Sequence, residues 1–516
     1  MRWARLAEAL SYVGRPVVVT VRGGELEIGE SLPEGGAQVR AWVPACRPTE
    51  LGDRAFCEAN GLRYPYVVGA MANGIASVEL VEAVGRAGML GFYGAAGLPV
   101  EVIEPALERL EANLGDRPWG ANLIHSPFEE ELEEAVANLY IRRGVRRVSA
   151  SAYLGLTLPV VRYRTHGVHV AADGRVVAPN RVFAKVSRVE VAEKFLRPPP
   201  EKMLAQLVAE GALTEAQARL AARLPMADAI TVEADSGGHT DNRPALTLVP
   251  TMVALRDRIR RELGYEEAPR IGAAGGIATP WSAAAAFAMG ADYIVTGSVN
   301  QACREAGTSD AVRELLAQAR QADVTMAPAA DMFEMGVKLQ VLKRGTMFPM
   351  RAQRLYDAYR AYDSLEAIPP AEREALERTI FRASLDTIWE ETQAFWRRRD
   401  PSQLTRAAER PKHQMALCFR WYLGQSSRWA NAGEPSRRVD YQIWCGPAMG
   451  AFNAWVAGSF LEPWEARRAV PVALNILYGA AVLSRAQMLQ AQGVAFDRSL
   501  LDLSPREPAE LEELLQ

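Results

Sequence analysis

The stretch Ala229-Ile-Thr-Val-Glu-Ala-Asp-Ser-Gly-Gly-His239 decides the fold, because it joins a strand pattern to a turn that carries a titratable ring. Its first half holds a short apolar run, Ile230 to Val232, which is typical of a buried strand. Gly237 and Gly238 follow, and glycine lets a backbone approach a ligand closely. His239 comes directly after them, which predicts a functional histidine on the loop that leaves the strand. A hydrogen-bonded surface histidine is the alternative interpretation.

Seven further apolar runs of the same kind occur along the chain. The eight runs begin near Tyr66, Met89, Trp119, Val145, Arg181, Ala229, Arg270 and Asp292. Helical patterns lie between most of them, as in residues 77–86, 127–140 and 281–289. Strands that alternate with helices imply parallel pairing, and eight such units predict a closed (β/α)8 TIM barrel. The runs are mostly continuous rather than alternating, as expected of parallel strands that are buried on both faces.

The rest of the chain predicts additions to this barrel. Residues 1–57 read as a small β-rich extension with strands over 16–22 and 25–29 and a loop at 33–36. The barrel itself is expected over 58–322, with a hairpin at 167–177 and a helical insertion near 189–226 that contains helices at 203–213 and 214–224. The strand signal stops after about residue 322. Residues 323–516 are therefore predicted to form a helical C-terminal domain with helices over 332–342, 351–361, 371–396 and 471–491.

Composition excludes several classes of protein. The net charge of −3 argues against a protein that works mainly by neutralising nucleic-acid phosphates. The five cysteines lie far apart without a CxxC pair, which favours reduced thiols and no metal site. The first residues lack a signal-peptide pattern. No run of about 20 apolar residues is seen, so no membrane span is predicted. We therefore expect a cytoplasmic protein that does not enter a membrane.

Polar residues follow several of the predicted strands. In such a barrel the active site lies at the carboxyl ends of the strands. Asn122 and Lys185 stand at such ends, and a lysine there suits an anionic ligand or an electron-rich ring. Asp235 and Glu233 add acid to the same rim. These side chains are expected to point into a pocket. Two alternatives remain: Asn122 and Lys185 could face the core with their hydrogen bonds made by the backbone, and Glu233 could form a purely structural cap or pair.

Glycine turns follow the last two strands, at Gly275-Gly276 and at Gly297-Ser298. They expose backbone N–H groups next to a helix start, where Thr279 is a candidate N-cap before Pro280. This is the usual phosphate site of such barrels. A purely steric need for glycine at these turns is the alternative.

The other histidines and the basic clusters give weaker signals. His125 follows the third strand, where it could line the pocket or cap the next helix. His166, His169 and His413 are not expected to be catalytic. The basic runs at 142–147 and 397–399 are expected to be solvent-exposed faces without a partner. If either run has a function, an acidic carrier protein is the expected partner.

Two groups of motifs resemble a known family. VVGAMANGIAS, GANLIHSP, VFAKVSR, EADSGGHTDNRP, AAGGIATP and YIVTGSVNQ resemble, in this order, the nitronate monooxygenase/enoyl reductase class of FMN barrels. MGVKLQVLKRGTMFPMRAQRLYDAY and DYQIWCGPAMGAFNAW resemble the PfaD family more narrowly. That family contains the trans-acting enoyl reductases of polyketide and polyunsaturated fatty acid synthases.

The resemblance implies an FMN site across the strand ends. It assigns FMN contacts to Ala70, Met71, Asn122, Lys185, Asp235, Ser236, Gly237, Gly238, Gly275, Gly276, Gly297 and Ser298. The last four would hold the phosphate, and His239 would take the position of the catalytic histidine. It would donate a proton to the α-carbon or stabilise the thioester oxygen as charge develops.

The implied activity is that of a flavoprotein oxidoreductase, an enoyl reductase that uses FMN with NADPH or NADH. Its substrate would be a 2-enoyl thioester on an acyl carrier protein of a polyketide or polyunsaturated fatty acid synthase, and the enzyme would be a homodimer. Three alternatives stay open at this point. They are a nitronate monooxygenase-like flavin oxidase, a non-catalytic synthase scaffold, and a flavin-free phosphate-binding lyase that uses Lys185 as a Schiff-base amine.

Overall fold

Eight parallel strands form a closed barrel in the computed structural model, which describes residues 2–32, 37–125 and 130–516. The barrel strands are Tyr66–Val68, Leu90–Tyr93, Trp119–Ile124, Arg147–Ser151, Arg181–Val186, Ala229–Glu233, Arg270–Ala274 and Tyr293–Thr296. Each pairs with the next along the chain, and the eighth closes on the first through Val295 and Val67. The predicted fold class and all eight strands are confirmed.

The interior of the barrel explains why its strands are apolar throughout. Phe92, Phe183 and Tyr293 point inward and form one apolar cluster with Phe56. The ring of Phe56, on the helix Arg54–Asn60, stacks on Tyr293 with centroids 4.3 Å apart. The opposite faces of the strands pack under the surrounding helices, so both faces are buried.

Helices surround the barrel and connect its strands. They are Val78–Arg86, Val100–Leu114, Glu130–Arg142, Leu158–Thr165, Val189–Leu196, Ala245–Leu263, Pro280–Ala288, Ser298–Gln301 and Asp310–Ala317. The predicted N-cap is confirmed, because the Thr279 side chain accepts a hydrogen bond from the backbone N–H of Ser282. The helix predicted over 127–140 is observed from Glu130, and its first predicted residues lie outside the described part of the chain.

Two insertions match their predictions. A hairpin pairs His169–Val170 with Val176–Val177. The segment before the sixth strand contains the helices Glu201–Ala209 and Glu215–Ala221.

The N-terminal extension contains a three-stranded antiparallel sheet. Its strands are Val17–Arg22, Glu25–Gly29 and Gln38–Val43, with the first in the middle, and a helix Arg2–Ser11 precedes them. The first two strands were predicted, whereas the third strand and the helix were not; the predicted loop at 33–36 lies outside the described residues. A 3-10 turn, Pro48–Glu50, leads to the barrel.

The C-terminal region is mostly helical but begins with two strands. The strands are Val324–Pro328 and Lys338–Leu342, and the helices are Phe348–Ala361, Pro370–Leu376, Leu385–Arg399, Ser402–Glu409, Pro411–Ala432, Ala448–Val456, Ala469–Ala491 and Pro508–Leu514. Short 3-10 turns lie at Gln321–Asp323, Pro435–Asp440, Trp464–Ala466 and Arg498–Leu500, and one π-helical turn lies at Glu377–Phe381.

Three predictions for this region are wrong. The strand signal does not stop at residue 322, and Lys338–Leu342 is a strand rather than the end of a helix over 332–342. This segment pairs antiparallel with Val324–Pro328, so tertiary pairing overrides the helical pattern. The single helix predicted over 371–396 is two helices, because Arg382 adopts a left-handed conformation with φ 58° and Ser384 caps a new helix.

Two large apolar cores hold the chain together. One joins the N-terminal extension and the outer layer of the barrel to the helix Ala469–Ala491. The other packs Phe348–Ala361 and Pro411–Ala432 against the strands Val324–Pro328 and Lys338–Leu342. The domain boundaries at 57 and 322 stay predictions.

The helix Ala469–Ala491 is long and apolar enough to cross a membrane, but 78% of its most apolar window is buried inside the protein. It packs against the barrel helix Pro280–Ala288. Arg485 on this helix is also buried, and its guanidinium donates to the backbone carbonyls of Leu10 and Tyr12. Burial lowers the pKa of Arg485 to about 10. The helix therefore anchors the N-terminal extension in the manner of a core helix.

Candidate functional site

A cavity of about 1140 Å³ lies at the carboxyl ends of the barrel strands. Typical small-molecule pockets measure about 300–1000 Å³. One side consists of the loops that leave the strands, and another consists of the helices Leu385–Arg399 and Pro411–Ala432. The residues predicted for the site that line it are Ala70, Met71, Asn122, Lys185, Ser236, Gly237, Gly238, His239, Gly275, Gly276, Gly297 and Ser298.

The loop that carries His239 forms the edge of a second small sheet. Gly238 and His239 pair antiparallel with Gln340 and Leu339 of the strand Lys338–Leu342. Residues 238–239, 338–342 and 324–328 are called the second sheet below. The backbone of Gly238 and His239 is therefore held against the C-terminal region by strand pairing.

The glycine at position 237 is required by the protein's own backbone. A Cβ atom at Gly237 would lie 2.9 Å from the carbonyl carbon of Cys445 and 2.9 Å from the backbone nitrogen of Gly446. Gly238 has φ +79°, and a Cβ atom there would lie 3.9 Å from the Trp444 ring. Close approach to a ligand was the predicted reason for this glycine pair, and the Cys445–Gly446 segment gives Gly237 a second reason.

His239 forms an ion pair inside the cavity. Its Nε2 lies 3.1 Å from Oδ1 of Asp331, on the loop between the two long strands of the second sheet. Burial lowers the pKa of the His239 ring, but the charge and hydrogen bond of Asp331 outweigh burial and raise it above its usual value. About a third of the ring surface is accessible, at 34%, and that surface faces the cavity. The pair therefore keeps the ring protonated to higher pH than an isolated histidine.

A second ion pair lies at the ends of the fifth and sixth strands. Lys185 Nζ donates to Oε1 of Glu233 over 2.5 Å, and the Ser236 hydroxyl donates to the same oxygen over 3.0 Å. Both charged side chains are largely buried and line the cavity. The pair thus holds the Lys185 ammonium at a fixed position in the cavity, with its charge offset by the Glu233 carboxylate. The structural pairing that the sequence left open for Glu233 is observed.

The side chain of Asn122 is held inside the barrel. Its amide nitrogen donates to the backbone carbonyl of Ser149 over 2.9 Å and to the Ser151 hydroxyl over 3.2 Å. The side chain is buried but still borders the cavity. Both interpretations of Asn122 therefore apply: its side chain is a hydrogen-bonded core residue, and it is also part of the cavity lining.

Asp235 does not line the cavity, although it was predicted to bind the cofactor. Its carboxylate accepts hydrogen bonds from the side-chain amides of Asn242 and Gln340, each over 2.8 Å. Gln340 belongs to the second sheet and also donates to the backbone carbonyl of Ser236. Asp235 therefore fixes the His239 loop against the second sheet.

The glycine turns after strands seven and eight leave open space at the cavity wall. Gly275 and Gly276 have φ +82° and +76°, and a Cβ at Gly276 or Gly297 would meet nothing within 4 Å. A Cβ at Gly275 would instead lie 2.7 Å from the carbonyl carbon of Ala234, so Gly275 also serves packing. The Ser298 hydroxyl accepts a hydrogen bond from the Gly446 N–H. Exposed backbone beside these turns suits a phosphate group.

The remaining histidines lie outside the cavity lining. His125 Nδ1 lies 2.9 Å from Oε2 of the buried Glu133. His413 Nδ1 lies 2.7 Å from Oε1 of Glu334 in the helical region. His166 and His169 belong to the hairpin insertion and its approach.

Sequence reasoning missed Asp331 and the contribution of Arg420 and Arg428 to the helical wall of the cavity. Asp331 follows a strand that was not predicted, and no motif marks it. The helical wall carries Arg398, Arg399, Arg420 and Arg428. The run of arginines at 397–399 stands out in the sequence, but the contribution of Arg428 depends on the packing of the two helices.

Two family models match the chain. Residues 58–359 match the model for nitronate monooxygenase. Residues 362–441 match the inserted helical domain of [acyl-carrier-protein] S-malonyltransferase. The matches adjoin each other near the second sheet and the start of the helical region.

Several curated proteins are similar over most of this chain. A polyunsaturated fatty acid synthase polypeptide from Thraustochytrium sp. is 49% identical over 474 residues, which are 90% of this chain and 32% of that protein. The polyketide biosynthesis protein PksE of Bacillus subtilis is 45% identical over 439 residues, which are 85% of this chain and 57% of that protein. The chain thus spans about a third to somewhat more than half of these relatives.

Solved structures repeat the fold. The enoyl reductase domain of MlnA, from the macrolactin biosynthesis cluster of Bacillus amyloliquefaciens, is 40% identical with a TM-score of 0.82, over 86% of this chain and 99% of that domain. FabK of Thermotoga maritima has a TM-score of 0.50 at 18% identity, over 85% of this chain and 98% of that protein, which shows a shared fold alone.

Proposed function

Because the chain belongs to the nitronate monooxygenase family, we propose that it is an FMN-dependent enoyl reductase. It would use NADPH or NADH to reduce the α,β-double bond of a 2-enoyl thioester carried by an acyl carrier protein. The observation that carries this proposal is the His239–Asp331 pair, which lies in one cavity with Lys185 at the ends of the barrel strands. The similarity to the MlnA enoyl reductase domain supports the reaction class.

The residues of the cavity fit FMN. Open space beside Gly276 and Gly297 leaves backbone exposed to a phosphate, and the cavity volume of about 1140 Å³ lies above the usual range of about 300–1000 Å³ for small-molecule pockets. The Lys185 ammonium is placed to meet an electron-rich ring. FMN, when bound, would supply the redox chemistry of the reaction. The remaining assigned contacts, from Ala70, Met71, Asn122, Ser236, Gly237, Gly238, Gly275 and Ser298, belong to the same proposal, and Asp235 would act through the loop.

His239 would donate a proton or a hydrogen bond to the substrate. Saturation of the double bond requires a proton at the α-carbon, and the thioester oxygen gathers negative charge on the way. Asp331 holds Nε2, and among the described residues nothing accepts or donates a hydrogen bond at Nδ1. An imidazolium in this position can donate either a proton or a hydrogen bond to the substrate.

The helical region would present the carrier-bound substrate. Its residues 362–441 match the inserted helical domain of an enzyme that acts on acyl carrier protein, which supports a carrier partner within a polyketide or polyunsaturated fatty acid synthase. Two helices of this region line the cavity. The proposal includes a homodimer, as the PfaD resemblance implies, and a cytoplasmic location, which the scattered, unpaired cysteines favour.

The lyase alternative is disfavoured by one contact. A Schiff-base lysine needs a free amine as its nucleophile. Lys185 Nζ is instead engaged by the Glu233 carboxylate over 2.5 Å.

An anaerobic experiment tests the proposal. The purified protein is saturated with FMN and reduced with NADPH, and a 2-enoyl thioester on an acyl carrier protein is then added while the flavin absorbance is followed. Rapid recovery of the oxidised spectrum without oxygen is the expected result. Recovery only after air is admitted indicates the flavin oxidase instead. A protein that binds no flavin refutes both and leaves the scaffold or the lyase.

A further inference from the structure

A loop with two methionines borders the cavity beside the His239–Asp331 pair. Residues 329–337 join the two long strands of the second sheet and are called the rim loop below. The rim-loop residues that line the cavity are Ala330, Asp331, Met332, Met335, Gly336 and Val337. Asp331 pairs with His239, whereas the other side chains carry no charge and no hydrogen-bond donor. Most of this edge of the cavity is therefore apolar.

The rim loop is anchored from behind by side chains that point away from the cavity. Phe333 packs into the helical core, where its ring centroid lies 5.4 Å from that of Tyr356. The Glu334 carboxylate is hydrogen-bonded to a histidine of the helical region. Neither Phe333 nor Glu334 lines the cavity. Met332 and Met335, on either side of these anchors, therefore face the cavity from a fixed backbone.

The two methionines connect the His239–Asp331 pair to the opening of the cavity. Met332 is 8% accessible, whereas Met335 is 54% accessible and still lines the cavity. The backbone N–H of Met335 donates to the carbonyl of Met332 over 3.2 Å, so both belong to one turn. Asp331 directly precedes Met332 and holds the His239 ring. Met332 and Met335, called the methionine strip below, thus lead from the proposed proton donor to solvent.

The methionine strip suits a hydrocarbon chain better than it suits a nucleotide. A nicotinamide dinucleotide carries phosphates and hydroxyls that need hydrogen-bond donors or positive charge, and methionine supplies neither. Methionine side chains are unbranched and polarisable, with three rotatable bonds, so they adapt to apolar ligands of different shape. An exposed apolar side chain at the opening of a cavity also stabilises a complex when an apolar ligand covers it.

We propose that the methionine strip is a subsite for the acyl chain of the enoyl thioester. The subsite rests on the proposed function, because a thioester held at His239 leaves the rest of its acyl chain to be bound nearby. Each further CH₂ group that packs on the strip stabilises the complex, so affinity rises with chain length. The rise ends where the chain passes Met335 and reaches solvent. Adaptable methionines also predict that chains of different shape are accepted.

The subsite is tested by binding of saturated thioesters, which contain no double bond to reduce. The protein is saturated with FMN and titrated calorimetrically with butyryl-pantetheine, octanoyl-pantetheine and pantetheine alone. The octanoyl thioester should bind more tightly than the butyryl thioester by about tenfold or more, because several CH₂ groups leave water. Equal affinity for the two thioesters overturns the inference, and so does equal affinity for all three probes, which would assign the binding to the pantetheine arm.

Variants separate the subsite from general apolar binding. M335Q should lose most of the preference for the octanoyl thioester, and M335L should keep it. M350Q is the matched control, because Met350 is 67% exposed in the same region and does not line the cavity. Both methionines are exposed, so the variants should keep the wild-type Tm.

Two results with these variants overturn the inference. One is a wild-type preference in M335Q, and the other is an equal loss of preference in M350Q. Because binding is measured without turnover, failure of the proposed function is seen separately. A protein that prefers the octanoyl thioester through Met335 but does not reduce enoyl thioesters refutes the proposed function and leaves the apolar subsite standing.

Discussion

Replacement of Asp331 by Asn tests whether this carboxylate controls the protonation of His239. The pair has an Nε2–Oδ1 distance of 3.1 Å. A hydrogen bond to a charged group contributes about 1.5–3 kcal/mol. The accessible fractions of the two side chains are 34% and 47%, so solvent screening favours the lower figure. A loss of about 1.5 kcal/mol of stabilisation of the protonated ring corresponds to about a tenfold lower rate at neutral pH.

The sign of the pH dependence follows from the pKa shifts. Asp331 raises the pKa of His239, so the imidazolium persists to higher pH than usual. An asparagine lacks the negative charge, so in D331N the falling limb of kcat/KM against pH moves to lower pH. Well below both pKa values the two proteins should have similar activity. The assay is enoyl-thioester reduction measured between about pH 5 and 9.

A matched control and a double variant make this prediction refutable. Glu334 holds His413 in a similar pair outside the cavity, so E334Q should leave the pH profile in place. Asp331 acts through His239, so D331N should add little in the H239Q background. The reasoning fails if D331N has the wild-type pH profile, or if D331N slows H239Q as much as it slows the wild type.

Three further changes are predicted. H239A should keep FMN, seen by absorbance, and slow enoyl reduction by about 10²–10⁴; unchanged turnover would remove its assigned role. G237A places a Cβ 2.9 Å from the Cys445 carbonyl carbon and should cost about 1–3 kcal/mol of stability, seen as a lower Tm, whereas G424A has open space and should not lower it. R485M leaves buried carbonyls without donors and should lower the free energy of unfolding in urea by about 3 kcal/mol; an unchanged midpoint would contradict this.

Local patterns were sufficient for the barrel. Its strands are buried on both faces, as Phe183 and Tyr293 show inside the barrel, so each appears in the sequence as a continuous apolar run. Helix signals such as Thr279-Pro280 act within one turn and are readable from neighbours in sequence. The motifs also identified the family correctly, since residues 58–359 match nitronate monooxygenase.

Long-range pairing set the limits of prediction. Lys338–Leu342 becomes a strand because it lies between Val324–Pro328 and Gly238–His239, and no local pattern contains those partners. Asp331 reaches His239 only because the second sheet forms. Asp235 follows a strand that points at the cavity, but its carboxylate turns to Gln340 instead of the pocket. Strand position predicts the rim of a barrel site, whereas side-chain direction depends on residues that are distant in the sequence.

The second sheet has a consequence for synthesis of the chain on the ribosome. All eight barrel strands precede residue 297, but the pairing partner of Gly238–His239 lies at Leu339–Gln340, far later in the chain. Chains emerge from the N-terminus at about 5–20 residues per second, so the barrel can close several seconds before the His239 loop acquires its partner strand. Until Asp331 and Gln340 emerge, the nascent chain has the barrel but lacks the ion pair at its mouth. The His239–Asp331 pair is therefore completed late, and a nascent chain that stalls before residue 331 lacks the proposed catalytic pair even with its barrel folded.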